Sequence, residues 1–146
     1  MNVYEEDIVG RINKIAGKSV YFDVVEIMNS PESICNEIIT LLLSYACQSQ
    51  NIKPITIAKN ALIKFPYNWI TEKIMKLCYQ TMNIDDEWEY RRFLELVQII
   101  SNDLLKWAIS LSKDTSSQEI LIIANEFSEL LEMSTSKTEV SRGRFS

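Results

Sequence analysis

The densest group of reactive side chains is an acidic run around Trp88, formed by Asp85, Asp86, Glu87 and Glu89. Carboxylates grouped within one helical turn could hold a divalent metal ion, since oxygen ligands suit such ions. The same acids also suit the first turn of a helix, where the positive end of the helix dipole attracts negative charge. We favour the second interpretation, in which Trp88 is a candidate anchor for a partner protein.

A second group of acids lies near the end of the chain, where Glu126, Glu129 and Glu132 are spaced three residues apart. Residues three apart are neighbours on a helix surface, so these acids predict a carboxylate stripe. The stripe is either a solvated outer face or a surface that binds a basic partner. The candidate partner-binding residues are therefore Asp85, Asp86, Trp88, Glu89, Glu126, Glu129 and Glu132.

The residue types that are missing exclude many kinds of enzyme. The chain has no histidine and only three isolated glycines, so it lacks the commonest general base, the usual catalytic triads and a Gly-rich phosphate loop. Cys35, Cys47 and Cys78 are odd in number and widely spaced, which indicates neither a thiolate zinc site nor a disulfide framework. We expect buried free thiols, no catalytic activity, and no cofactor or metal ion.

Charge is distributed unevenly along the chain, whose formal net charge is −5. Residues 53–76 contain five Lys against one acid, Glu72, whereas residues 77–136 contain four basic and eleven acidic residues. Binding to a nucleic-acid backbone needs an excess of Lys and Arg on one face, and the five Lys are not interleaved with Arg or with aromatics that we predict to be exposed. We therefore expect no nucleic acid and predict a basic protein as the partner.

The elements that position these residues are predicted to be helices. Only three Gly and three Pro occur among 146 residues, too few to supply the turns of a sandwich or barrel. Apolar residues recur at helical spacing. The predicted helices cover residues 4–16, 31–48, 54–65, 67–82, 85–100, 103–111 and 116–133. For residues 20–28 the pattern fits either a strand or a helix, and we favour the helix.

Local signals mark where several of these helices begin or end. Gly17 is predicted to close the first helix. Ser30 is placed to cap the next long helix, with Pro31 at its first position. Ser116 and Glu119 fit a capping box for the last helix, in which each side chain bonds the backbone N–H of the other residue.

The breaks between paired helices recur every 35 residues, at Pro31, Pro66 and Ser101. The apolar positions on either side of these breaks coincide when the sequence is shifted by that interval. In this respect the chain resembles the HEAT and armadillo class of helical repeats over roughly residues 19–133. The resemblance implies an all-α fold of stacked antiparallel hairpins, with about seven helices. An irregular antiparallel helix bundle is the alternative that shares much of this periodicity.

We predict a single α-helical domain over residues 1–133 and a flexible Ser/Thr-rich tail over residues 134–146, because the tail lacks helical periodicity. The N-terminus is acidic where a signal peptide is basic. The longest apolar run, Ile38 to Ala46, is too short to span a bilayer. We therefore expect a cytoplasmic protein that does not bind a membrane.

The leading functional hypothesis is a non-catalytic interaction module that binds a basic protein through a helical-repeat surface. A more specific alternative is a bacterial immunity or antitoxin protein that neutralises a cognate toxin by occlusion, which the small size and acidity would suit. A second alternative is a carboxylate-based metal-binding or enzymatic helical domain, which would use Asp85, Asp86 or Glu89.

Overall fold

Helices make up almost all of the chain that the structure describes. The computed structural model describes residues 2–48 and 50–143, except for the side chains of residues 135–143. Those residues form eight α-helices, two short 3-10 helices and no strand, which confirms the all-α prediction. The α-helices are α1 (Val3–Ala16), α2 (Val24–Met28), α3 (Glu32–Ala46), α4 (Ile52–Leu62), α5 (Tyr67–Leu77), α6 (Glu87–Ile100), α7 (Asn102–Ser110) and α8 (Gln118–Gly143). The 3-10 helices, Cys78–Gln80 and Leu111–Asp114, directly follow α5 and α7.

Helix α1 is closed at both ends by residues suited to those positions. The Asn2 side chain accepts a hydrogen bond from the Glu5 backbone N–H at 2.8 Å, which satisfies a donor that has no partner within the helix. Gly17 follows the last turn with φ at 72°, a left-handed conformation that glycine adopts without strain. The predicted end of the first helix at Gly17 is therefore confirmed.

Three helix starts recur at the predicted interval. Helices α3, α5 and α7 begin directly after Pro31, Pro66 and Ser101, which occupy the cap positions. The Ser101 hydroxyl accepts a hydrogen bond from the Leu104 backbone N–H at 3.0 Å. Proline provides no such bond, but its fixed φ holds the chain extended just before the helix starts.

The helices pack around α3, which contacts α1, α4, α5 and α6. Its most extensive neighbour is α4, whereas α6 packs chiefly against α7 and α8. The α3 side chains of Ile38, Ile39, Leu42 and Leu43 are fully buried. Buried side chains from α1 through to α8 belong to one continuous apolar core. Stacking of regular hairpins into a HEAT-like superhelix stays a prediction.

Two of the predicted caps are wrong by one residue. Pro31 lies at the cap position and not inside α3, while the Ser30 hydroxyl donates to the Glu26 carbonyl oxygen at 2.8 Å. Ser30 therefore bonds back to the preceding helix, a local contact that short hydroxyl side chains readily form. At the start of α8, Ser117 and not Ser116 accepts from the Ile120 backbone N–H, at 3.4 Å, because α8 begins at Gln118, one residue later than a cap at Ser116 predicts.

The segment before α3 is helical over only part of its predicted length. Helix α2 begins after Asp23, whose side chain accepts from the Glu26 backbone N–H at 3.0 Å. Before it, the backbone N–H groups of Val20 and Tyr21 donate to the Asn13 side chain at 2.9 and 3.1 Å. These bonds to α1 satisfy the backbone without a helix, so the helical prediction for residues 20–28 holds only for the second half.

Helix α8 continues past residue 133, where the sequence predicts the domain to end. Its helical backbone extends to Gly143, and residues 144–146 lie outside the described residues. The predicted flexibility of residues 134–146 stays a prediction. Although α8 is the longest helix, no described helix is both long and apolar enough to cross a membrane.

Candidate functional site

The loop that leads into α6 is held by its own acidic residues. Asp86 accepts hydrogen bonds from the backbone N–H groups of Trp88 and Glu89, both at 3.0 Å, and so caps the helix. Asp85 accepts a hydrogen bond from the Thr115 hydroxyl at 3.1 Å. This contact joins the loop before α6 to the loop before α8, so both aspartates hold the chain in place.

Glu89 is also engaged with its own chain. Its carboxylate accepts from the Asn83 backbone N–H at 3.4 Å, and the side chain is half-buried. Burial raises the pKa of Glu89 above its ordinary value, and the negative charge of Asp86 raises it further, although the bond from Asn83 acts in the opposite direction. A carboxyl of this kind costs stability when it is ionised.

The acids at residues 85–89 do not converge on a metal site in this structure. Asp85, Asp86 and Glu89 each accept hydrogen bonds from protein donors. Among the described residues there is no group of three or more His, Cys, Asp or Glu side chains placed to hold a metal ion. The geometry thus agrees with the helix-start interpretation of this run.

Trp88 lies at the edge of a pocket between α6 and α8, with half of its surface exposed. The pocket has a volume of about 220 Å³. The residues that line it are Glu87, Trp88, Arg91, Glu119, Ile122 and Ile123. We call it the α6–α8 pocket. It combines aromatic and aliphatic walls with two exposed carboxylates. Such a mixed lining suits a ligand that has both an apolar part and a charged part.

An ion pair crosses from α6 to α8 beside this pocket. Arg91 donates to the Glu126 carboxylate at 3.0 Å. Arg92, on a different face of α6, pairs with Glu95 at 3.1 Å. The Arg91 pair is partly exposed, and exposed pairs contribute about 0.2–1 kcal/mol. The ion pair also balances the positive charge that Arg91 brings to the pocket with the negative charge of Glu126.

Helix α8 exposes apolar side chains on the side that faces away from the core. Ile122, Leu130 and Met133 are 57%, 52% and 58% exposed. Glu126 and Glu129 are exposed between them. Intervals of three and four residues bring these five side chains to one face of the helix, which we call the α8 outer face. The α8 outer face therefore presents both apolar and acidic side chains to solvent.

The structure divides the predicted partner-binding residues into three sets. Trp88, Glu126 and Glu129 lie on the α6–α8 surface, meaning the α6–α8 pocket together with the α8 outer face. Glu132 is exposed on α8, but its position in the helical turn places it beside the outer face. The third set is Asp85, Asp86 and Glu89, which hold the loop and the start of α6 through the hydrogen bonds described above.

Several residues of this surface are not among the partner-binding residues that the sequence predicts. They are Glu87, Glu119, Ile122, Leu130 and Met133. The available signal was a second apolar stripe on α8, next to the buried stripe that includes Ile120, Ile123 and Phe127. Two apolar stripes on one helix indicate that one of them stays exposed unless another element covers it.

The predicted lysine-rich region folds into a different surface. The Lys64 ammonium lies 5.4 Å from the Phe22 ring centre, and the Lys73 ammonium lies 5.6 Å from the Trp69 ring centre. Lys73 also donates to the Asn36 side chain at 2.6 Å. These lysines thus interact with aromatic and polar groups of their own chain.

Comparison with known proteins gives no relative from which a function could be transferred. No protein-family model, curated protein or solved structure matches the chain.

Proposed function

We propose that the chain is a non-catalytic interaction module that binds a basic protein through its α6–α8 surface. The observation that carries the proposal is the exposure of Trp88, Ile122, Leu130 and Met133 on one side of the molecule. An exposed apolar patch that is rimmed by polar side chains marks a surface that buries area against another protein, whereas singly exposed apolar side chains do not. The partner would cover these side chains and remove them from water.

The charge around these apolar side chains favours a basic partner. The acids around them are Glu87, Glu119, Glu126 and Glu129. Arg91 also lines the pocket, and its positive charge is balanced by the ion pair with Glu126. A surface of one sign accelerates the approach of an oppositely charged protein and disfavours acidic ones. The apolar side chains would supply most of the affinity, because exposed ion pairs contribute little.

The first experiment captures the partner and identifies it. The purified chain is immobilised and exposed to an extract of its source cells, and the captured protein is then purified for binary titration. We expect a basic protein, whose affinity falls roughly tenfold or more when Trp88→Ala is combined with Ile122→Ser. High salt should slow its association.

Matched controls separate this surface from general damage. Ile52→Ser changes an aliphatic side chain with nearly the same exposure, 58% against 57% for Ile122, on helix α4. Glu129→Lys reverses one charge of the surface and should also weaken binding, and Glu72→Lys is its control, since both residues are exposed. Affinity should survive both control changes. A partner that is acidic, or binding that is equally weakened by the α4 and α8 variants, would contradict the proposal.

An inhibitor that acts by occlusion is a more specific form of the same proposal. Its additional test is the activity of the captured protein with and without the purified chain. Inhibition by the wild-type chain, lost in the Trp88→Ala and Ile122→Ser double variant, would support that form. Binding without inhibition would leave the interaction module and exclude the inhibitor.

A further inference from the structure

We propose that the α6–α8 pocket binds one arginine side chain of the partner, an inference that rests on the proposed function. The pocket is small, about 220 Å³, and lies between one turn of α6 and one turn of α8. Its size suits one long side chain better than a helix or a strand. The chemistry of its walls decides which side chain.

The apolar part of the pocket fits the stem of a long basic side chain. Ile123 is buried at 3% exposure and Ile122 is more than half exposed, so the pocket has an aliphatic base and an aliphatic rim. The methylene groups of Arg or Lys cover apolar surface while the charged end stays at the polar edge. Trp88 supplies an aromatic wall, over which a cation is attracted to the ring face.

The charged part of the pocket attracts a cation. Glu87 and Glu119 are both exposed at the pocket, and among the described residues neither belongs to an ion pair. The Glu119 carboxylate accepts one hydrogen bond, from the Ser117 hydroxyl at 3.1 Å. Arg91 does not cancel these two charges because it pairs with Glu126 at 3.0 Å. The pocket therefore keeps an excess of negative charge.

The combination of Trp88 with two carboxylates favours arginine over lysine. A guanidinium is planar, so it can stack on the indole while its fork of N–H groups donates to carboxylates at its edge. An ammonium is a compact, strongly hydrated charge that gains less from stacking. We expect binding to weaken from arginine to lysine and to be lost for citrulline, which keeps the shape of arginine without its charge.

The probes are three capped tripeptides, acetyl-Gly-Xaa-Gly-amide, in which Xaa is arginine, lysine or citrulline. The readout is the indole N–H signal of Trp88 in NMR spectra of the full chain, which has three tryptophans. Trp88→Phe assigns that signal by removing it. We expect a saturable shift with the arginine peptide, binding roughly two- to five-fold weaker with lysine, and no saturable shift with citrulline.

Variants test whether the carboxylates hold the peptide. The double variant Glu87→Gln with Glu119→Gln keeps the side-chain shapes and removes both charges, and it should abolish the saturable shift. Glu132→Gln removes an α8 charge outside the pocket and should retain it. A shift that is absent with arginine, equal with citrulline or unchanged in the double variant would overturn the proposal.

The outcome is separable from that of the capture experiment. If the arginine peptide gives no saturable shift while the Trp88→Ala and Ile122→Ser double variant still weakens partner binding, the arginine pocket is overturned and the binding surface remains. Partner binding that no variant of the surface weakens overturns the proposed function, and the arginine pocket fails with it.

Discussion

Neighbouring acidic residues at the start of α6 have different roles, although their side chains are chemically alike. Asp86 caps the helix, Asp85 ties two loops together, and Glu89 is half-buried against the Asn83 backbone. Glu87 remains exposed at the α6–α8 pocket. The sequence identifies the run, but the role of each acid depends on what the fold places beside it.

The half-buried position of Glu89 gives a pH-dependent prediction at the same scale. Its pKa is raised in the folded chain by burial and by Asp86, so the folded state favours the protonated carboxyl. Ionisation therefore lowers stability above the folded pKa, and this penalty disappears as pH falls through that pKa towards the ordinary value of 4.5. Glu89→Gln stays neutral and can still accept from Asn83. We expect it to raise the free energy of unfolding at neutral pH.

Urea unfolding at neutral pH and below the ordinary pKa of 4.5 measures this effect. The gain from Glu89→Gln should shrink or vanish at the lower pH, where the wild-type carboxyl is also protonated. Glu87→Gln is the control, because it removes an exposed charge from the same helical turn. A gain that is independent of pH, or equal in both variants, would show that desolvation of Glu89 is not its cause.

At the scale of single elements, α1 offers two glycines whose replacement should act in opposite directions. An added Cβ meets nothing within 4 Å at either Gly10 or Gly17, so steric contact decides neither outcome. Gly10 lies inside the helix, and Gly10→Ala should stabilise by about 0.5–1 kcal/mol through backbone entropy. Gly17 has a φ of 72°, and Gly17→Ala should destabilise by about 1–2 kcal/mol.

The measurement is the urea midpoint of the two variants and of the wild-type chain. Both are Gly→Ala changes at the same helix, so each serves as the control for the other. Two shifts of the same sign would mean that α1 does not end in the left-handed conformation seen here.

The helix boundaries that depend on local chemistry were the predictable part of the fold. Gly17, Pro66 and Ser101 mark boundaries through their own backbone or side-chain properties. The segment around Val20 was harder because its backbone bonds to Asn13 on another element. Local propensity carries no information on such a contact.

The candidate site was less predictable than the helices because it depends on tertiary packing. Trp88 was identified from its acidic surroundings, and the spacing of Glu126 and Glu129 placed them on one face. Arg91 pairs with Glu126, and Ile122 lines a pocket with Trp88. Both contacts depend on how α6 packs against α8. A period within one helix cannot indicate which of its two apolar stripes becomes core.

At the scale of the whole molecule, the buried residues form one core, and charge is distributed unevenly along the chain. The buried cluster runs from α1 to α8 and includes Cys47 and Cys78. All three cysteines of the chain are free and buried, which confirms the prediction of buried free thiols. Burial raises the pKa of Cys78 to about 11, so its thiol is protonated at neutral pH and its reactivity is low.

A single core predicts cooperative unfolding, which distinguishes this packing from a stack whose units melt separately. Leu42 is fully buried in α3, the helix that contacts α1, α4, α5 and α6. Leu42→Ala should lower the free energy of unfolding by about 2–5 kcal/mol. Leu130→Ala, at a residue 52% exposed, should change it by no more than about 0.5 kcal/mol.

Far-UV circular dichroism and tryptophan fluorescence, followed in the same urea titration, measure both changes. Circular dichroism reports on every helix, whereas Trp69, Trp88 and Trp107 report on α5, α6 and α7. For one cooperative unit the two signals share a midpoint, and Leu42→Ala moves them together. Midpoints that separate in the variant would mean that α1 to α4 unfold independently of the later helices, as nearest-neighbour stacking allows. The α6–α8 surface would then belong to a unit that stays folded without α3, and partner binding by the Leu42→Ala chain would persist beyond the first transition.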